Sequence, residues 1–329
     1  MKRALGLKCL LHENEPARFK KGPLLPALIC CFLAATGYAI ELGDPAPPLT
    51  INAWVKGVPV DLKNTNAIYV IEFWATWCAP CKETIPHLSE LQQKLKSRNV
   101  TFIGISTEPA QTIKPFVEKM GQKMDYTVAA DKAETTSAAY MNAFGVDGIP
   151  EAFVVDRKGR LVWHGSPIIG LDEALAQVIN NTYDIEAARS LERASKLQDE
   201  YFKLVSGAAQ SPRADTLGNQ IFTNLVKAPH ALNDFAWRIL TDRAIRQRDL
   251  TLALRASKSA YETTQGKSVS VTETYARALF ETGNLEEAIK YQQQAVDNAD
   301  KIEYKAEFDN TLNKYKRLLR EKNNHGPKR

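Results

Sequence analysis

Residues 67–74 run AIYVIEFW, a nearly unbroken apolar stretch interrupted by Glu72, and Cys78-Ala79-Pro80-Cys81 begins four residues further on. A segment that is apolar on both alternating faces suits a central strand covered on either side. Pro80 sacrifices no hydrogen bond in the first turn of a helix, and Leu88, Leu91 and Leu95 continue at helical spacing. The pattern predicts a strand that feeds a helix starting near Pro80. Cys78 then sits at the helix cap, with Cys81 one turn inside.

That placement has a chemical consequence. A helix N-terminus carries unpaired N–H groups and partial positive charge, and both stabilise a thiolate. In such a setting a thiol pKa falls from about 8.5 to about 7 or lower. An exposed Cys78 thiolate would attack a disulfide, and Cys81 would resolve the mixed disulfide that results.

Of the five cysteines in the chain, Cys9, Cys30 and Cys31 fall within residues 1–39, a stretch with the character of an export leader. Lys2, Arg3, Lys8, Arg18, Lys20 and Lys21 precede an apolar run at 24–38, and Gly37 and Ala39 offer small residues for cleavage after Ala39. The run is shorter than the roughly 20 residues of a membrane-crossing helix. Cleavage is therefore the first expectation and an uncleaved anchor the second.

Losing the leader removes six basic and two acidic residues and lowers the net charge from +5 to +1. Basicity thus points to export and not to nucleic acid. A mature exported chain keeps Cys78 and Cys81 alone, with no structural disulfide framework to account for them. Zinc is disfavoured, because neither a second cysteine pair nor a close histidine cluster offers the remaining ligands. No metal and no cofactor are expected.

A chain of 329 residues predicts two domains. An α/β domain is expected over 40–183 and a helical one over 184–329. After an extended lead-in at 45–48, residues 49–55 and 58–62 should form a hairpin around Lys56-Gly57. Further strands are expected at 67–74, 100–106, 151–155 and 161–164, and helices from about 80, at 111–120, 135–144 and 171–180. Past Tyr183 the strand pattern ends, and helices follow with breaks at 207–212, Pro229, Gly266 and Gly283.

Within the helical stretch Trp237, Leu240, Ala253 and Ala260 recur 35 positions on as Thr272, Tyr275, Ala288 and Ala295. Tetratricopeptide (TPR) repeats have a period of about 34. The small residues would let paired helices approach closely, and the segment 274–296 resembles one such repeat. A TPR-like region with a protein-binding face is expected, an ordinary helical bundle being the alternative.

The segment YVIEFWATWCAPCKETIP, residues 69–86, resembles the thioredoxin superfamily in its TlpA/ResA-like, redoxin-type branch of exported proteins. The resemblance spans about residues 44–180. GVDGIPEAFVVDRKGRLVWHG, residues 145–165, resembles the segment that carries the cis proline of this superfamily. The resemblance implies a cis Ile149–Pro150 bond, with the Ile149 backbone beside Cys78 to pair with an extended substrate. It also implies an inserted strand and helix between 107 and 148.

By the same resemblance Glu72 matches a buried acid, whose pKa desolvation would raise and which would exchange a proton with Cys81. The strand at 100–106 offers no lysine to partner it. Trp74 is expected in the core and Trp77 as a surface platform. His87 is expected to be solvated or half-buried, Trp163 and His164 to be packing residues, and Arg157, Lys158 and Arg160 a solvated turn.

The expected architecture is thus a thioredoxin-like α/β fold followed by an all-α, TPR-like region. The expected function is thiol-disulfide exchange on exported proteins, in the reductive direction, with electrons from a membrane or soluble donor. Cys78, Cys81 and Glu72 would carry the chemistry; Trp77, Pro80, Ile149 and Pro150 would contact the protein substrate. Two other readings stay open. One is a partner-binding scaffold with a redox-sensing domain, and the other is a thiol peroxidase, although Thr76 lies two residues before Cys78 where that chemistry places a threonine three before.

Overall fold

A computed structural model describes residues 40–64, 66–207, 211–299 and 302–324; the expected leader, with Cys9, Cys30 and Cys31, lies outside the described residues. The apolar run forms β2 (Ile68–Phe73), and β3 (Val100–Ser106) and β4 (Thr127–Asp131) lie parallel to it in sequence along the sheet. Strands β1 (Ile51–Lys56), β5 (Glu151–Val155) and β6 (Leu161–Gly165) complete an antiparallel fringe, giving the order β1-β4-β3-β2-β5-β6.

Period-two alternation distributes β2 between two cores. Ile68 and Val70 face a layer made by α1 (Ala79–Leu95), α2 (Ala110–Met120) and α4 (Leu171–Ile179), through Ile85, Leu88, Ile113 and Leu175. Tyr69, Ile71 and Phe73 face the other side, toward Leu42, Leu62 and Tyr140 of α3 (Thr135–Tyr140). Glu72 shares the parity of Ile68 and Val70, so it points at the α1 layer.

The expected hairpin around Lys56-Gly57 does not form. β1 pairs with β4, from Ile51 opposite Asp131 to Lys56 opposite Val128, and residues 58–62 are not a strand. Pro59 has no N–H to give a ladder, and Val58 is 71% exposed with no apolar face to cover it. β4 lies within 107–148, where the resemblance implies an inserted strand; its five-residue pattern, TVAAD, is too short to fix the bounds from sequence.

The helical region comprises α5 (Ile185–Val205), α6 (Pro212–Leu225), α7 (Pro229–Thr241), α8 (Leu250–Thr263), α9 (Val269–Glu281), α10 (Leu285–Asp297) and α11 (Ile302–Asn324). Helices α5 and α6, α7 and α8, and α9 and α10 pack as successive pairs. Ala253, Ala260, Ala288 and Ala295 are all fully buried at their contacts. The 35-residue offset relates α8, from Leu250, to α10, from Leu285. α7 and α9, however, begin 40 residues apart, at Pro229 and Val269, because the α7–α8 connection is the longer one. Arg248 closes it by donating to the carbonyls of Ile239 and Asp242.

Helix α5 belongs to both regions. Arg189 donates to the Leu42 carbonyl at 2.6 Å, Arg193 makes a bidentate pair with Glu41, and Ile185 and Ala188 pack on the sheet domain. Its second half supplies Ala194, Tyr201, Phe202 and Val205 to the helical core. No helix among the described residues is long and apolar enough to cross a membrane.

Candidate active site

The C-terminal end of β2 delivers the chain to the cysteines through residues 74–77. Glu108, just beyond β3, holds this turn: its carboxylate accepts from the Thr76 N–H at 2.6 Å and from the Thr76 hydroxyl at 2.7 Å. Ser106 adds a 3.3 Å donor to the same carboxylate and accepts from the Glu108 N–H. Trp74 is buried against Phe116, whereas Trp77 is 71% exposed beside the cysteines.

Cys78 is the N-cap of α1, in extended backbone conformation, and its Sγ accepts the Cys81 N–H at 3.1 Å. Pro80 stands exposed in the first turn, and no acidic residue of that turn opposes a negative charge on sulfur. The two cysteines form a disulfide with Cα atoms 5.3 Å apart. Cys78 is 3% exposed and Cys81 fully buried. The sulfur expected to be exposed is therefore buried in this oxidised form, with the loop opposite against it.

That loop ends in Ile149–Pro150, joined by a cis peptide bond. The Ile149 carbonyl oxygen lies 3.7 Å from Cys78 Sγ. In the dithiol state the Cys78 thiol would donate to this oxygen. The structure thus brings Cys78, Cys81, Trp77, Pro80, Ile149 and Pro150 to one end of the sheet.

Glu72 lies one layer below, buried on the α1 side of β2. The Tyr126 hydroxyl donates to its Oε2 at 2.9 Å, and Thr84 Oγ1 lies 3.2 Å from Oε1 and 2.9 Å from the Cys81 carbonyl oxygen. The threonine hydroxyl has one proton. It donates either to the carboxylate or to the Cys81 carbonyl, and in the second case a protonated Glu72 donates to it. Burial pushes the Glu72 carboxyl up to about 7, against the opposing hydrogen bonds from Tyr126 and Thr84. Burial, then the neighbouring carboxylate, raises the Tyr126 phenol well above its ordinary value.

Tyr126, Thr84 and Glu108 escaped the sequence reading. One signal for Tyr126 was present: Gly104 interrupts β3 opposite Glu72, and a glycine inside a strand marks a close approach. A Cβ there would stand 3.0 Å from both Trp74 Nε1 and Tyr126 Cε2. The missing side chain is what lets Tyr126 cross β3 to reach Glu72. His87 is half-buried and paired with Asp172 at 2.9 Å, so it acts on the α1–α4 contact. His164 is more than a packing residue, being held between Glu151 and Glu192.

The AhpC/TSA family matches residues 42–164. Protein FixW of Rhizobium leguminosarum is 26% identical over 167 residues, which span 48% of this chain and 75% of FixW. Thiol-disulfide oxidoreductase ResA of Bacillus thuringiensis (strain Al Hakam) is 30% identical over 125 residues, 37% of this chain and 68% of ResA. A solved thiol:disulfide interchange protein of the thioredoxin family from Chlorobium tepidum TLS is 24% identical with a TM-score of 0.34, covering 44% of this chain and 98% of that one. Each likeness covers less than half of the chain. With a helix-capping Cys78–Cys81 disulfide and more than two thirds of ResA matched, the chain belongs to the thioredoxin superfamily as a ResA-like thiol-disulfide oxidoreductase.

Proposed function

We propose that Cys78 and Cys81 are the redox pair and that they reduce disulfides in exported proteins. The observation that carries this reading is the disulfide at the N-terminus of α1 with the Ile149 carbonyl 3.7 Å from Cys78 Sγ. In the dithiol form the Cys78 thiolate attacks one sulfur of a substrate disulfide. The substrate S–S bond breaks, the leaving thiolate takes a proton, and a mixed disulfide forms. Cys81 then gives its proton to Glu72 and attacks Cys78 Sγ, the mixed disulfide breaks, and the second substrate sulfur leaves as a thiolate that takes back a proton. Two electrons have passed to the substrate, and the pair is left as the disulfide. A dithiol donor, membrane-bound or soluble, must return it to the reduced state.

Glu72 suits the proton transfer because a carboxyl group near pH 7 both accepts and returns a proton at neutral pH. Ile149 and Pro150 would pair with extended substrate backbone, with Trp77 and Pro80 as the apolar surround. The reductive direction is supported by Ala79-Pro80 between the cysteines and by Ile149 at the loop, both near the pattern of reducing thioredoxins. Export rests on residues 1–39, as a leader cleaved after Ala39 or kept as an anchor, and places the chain in the periplasm or an equivalent compartment. We divide the mature chain into a redox domain, 40–183, and a helical, TPR-like domain from 184 that recruits the protein substrate.

An insulin-type reduction assay tests this directly. The mature protein should reduce insulin in the presence of a dithiol donor, and Cys78→Ser should abolish the activity; full activity in that variant would end the proposal. Direction is set by the reduction potential, near about −270 mV for a reductase and near about −120 mV for an oxidant. The AhpC/TSA match keeps the peroxidase reading in view. Against it, Ala75 stands three residues before Cys78, and the Thr76 hydroxyl is committed to Glu108.

A further inference from the structure

The loop 145–150, GVDGIP, carries Ile149 to Cys78, and both of its ends meet one side chain on the face of the sheet away from α1. Phe144, before the loop, has its ring 4.6 Å from the His164 ring; Glu151, after it, has Oε1 2.8 Å from His164 Nδ1. Between these ends Val146 and Ile149 pack on the core and the Val146 N–H donates to the Met141 carbonyl at 2.9 Å, while a Cβ at Gly145 or Gly148 would meet nothing within 4 Å. The third side of His164 is closed by α5. Glu192 Oε2 lies 3.2 Å from His164 Nε2, and Lys196 Nζ lies 3.3 Å from the other Glu192 oxygen and 5.1 Å from the centre of the Phe144 ring.

Both ring nitrogens thus face carboxylates, and only the imidazolium has two N–H donors for them. Burial favours the neutral ring, but the bonds to Glu151 and Glu192 outweigh it and raise the His164 pKa to about 9. Phe153 stacks on the same ring at 5.5 Å. The charge is therefore enclosed, and removing one carboxylate leaves it under-compensated.

We infer that α5 is a positioning element for the active-site loop: Glu192, through His164, holds Phe144 and Glu151, and so sets the stance of the Ile149 backbone opposite Cys78. This rests on the reading of Cys78 and Cys81 as the redox pair. It adds that the first helix of the helical region, absent from the expected catalytic set, governs how extended substrate docks. Strand pairing fixes Glu151 opposite Phe73 but reaches no further toward Ile149. The side-chain cluster adds to the core packing of Val146 and Ile149 in restraining the residues before it.

The test compares wild type with Glu192→Gln in the oxidised full chain. Hydrogen exchange across 145–150 should quicken at least about threefold in the variant, with the central strands unchanged. On a peptide disulfide KM should rise about threefold or more at constant kcat, while a small aromatic disulfide, which makes no backbone pairing, should be reduced as by wild type. Glu192→Asp should restore part of the KM. Lys196→Met, one turn on from Glu192 and partly exposed, supplies a milder variant should Glu192→Gln be too unstable to assay, and should quicken exchange in the same loop to a smaller degree. Unchanged exchange in the loop, or faster exchange spread evenly over the domain, overturns the inference. Failure of the redox reading would look different: Cys78→Ser would keep its activity whatever the loop does.

Discussion

The Tyr126 hydroxyl donates a 2.9 Å hydrogen bond to Glu72 Oε2 from the far side of β3, passing over Gly104. Two buried groups are thereby tied together beneath the Cys78–Cys81 disulfide. The bond favours the ionised carboxyl and so counteracts the burial that raises it.

Removing that donor should move the chemistry along the pH axis. A hydrogen bond to a charged group contributes about 1.5–3 kcal/mol, equivalent to about one to two pKa units. Tyr126→Phe should shift the pH midpoint for resolution of the mixed disulfide upward by about that amount. Stopped-flow release of substrate thiol against pH measures it. A midpoint that stays in place would mean that Glu72 does not take the proton.

Glu72→Gln should separate stability from activity. An unfolded glutamate gives up its proton near 4.5, while the buried one holds it to about 7. Between those values the unfolded state binds fewer protons, so wild-type stability falls as pH rises through the window. The fall is on the order of 3 kcal/mol. The variant should lack it, melting above wild type at pH 8 while resolving mixed disulfides more slowly. Parallel melting curves for the two proteins from pH 4 to pH 8 would contradict this.

His164 contributes in a higher window. Its folded-state pKa, raised from 6.5 to about 9, gives stability that is complete below 6.5 and lost as pH rises through about 9. His164→Gln should remove the loss between those values and leave the Glu72 window alone. Calorimetric melting at pH 6 and pH 9.5 compares them; an unchanged difference between the two pH values would show that the imidazolium is not what the carboxylates hold.

The sheet domain was legible where the local pattern was strong. AIYVIEFW and the CAPC turn place β2, α1 and the cysteines, and the strand expected at 100–106 is β3 from end to end. Residues 49–62 misled because they carry hairpin spacing, although β1 finds its partner in β4, more than 70 residues on. Such long-range pairing leaves little local trace. Tyr126 and Glu108, and the two carboxylates that hold His164, escaped for a related reason: each acts on a residue some way off in sequence, and only Gly104 hinted at one of those meetings. The 35-residue repeat caught α8 and α10 but not the longer connection at 242–249.

Truncation should reveal the double allegiance of α5. A chain ending at residue 184 loses the Arg189, Arg193 and Glu192 contacts with the sheet domain. One ending at residue 198 keeps them. The longer fragment should melt higher by about 5 °C or more, and both should lose the preference for a native partner that the full chain captures. Equal melting temperatures would show that α5 does not brace the domain, and retained partner preference would refute recruitment by α6–α11.

The central claim, that Cys78 is the attacking sulfur, is tested most directly by trapping. Cys81→Ser mature protein, mixed with a peptide disulfide, should accumulate a mixed disulfide stable enough for peptide mapping, with the substrate joined to Cys78. Cys78→Ser should give none under the same conditions, because Cys81 is fully buried. A mixed disulfide in the Cys78→Ser protein, or none in the Cys81→Ser protein, would contradict the account.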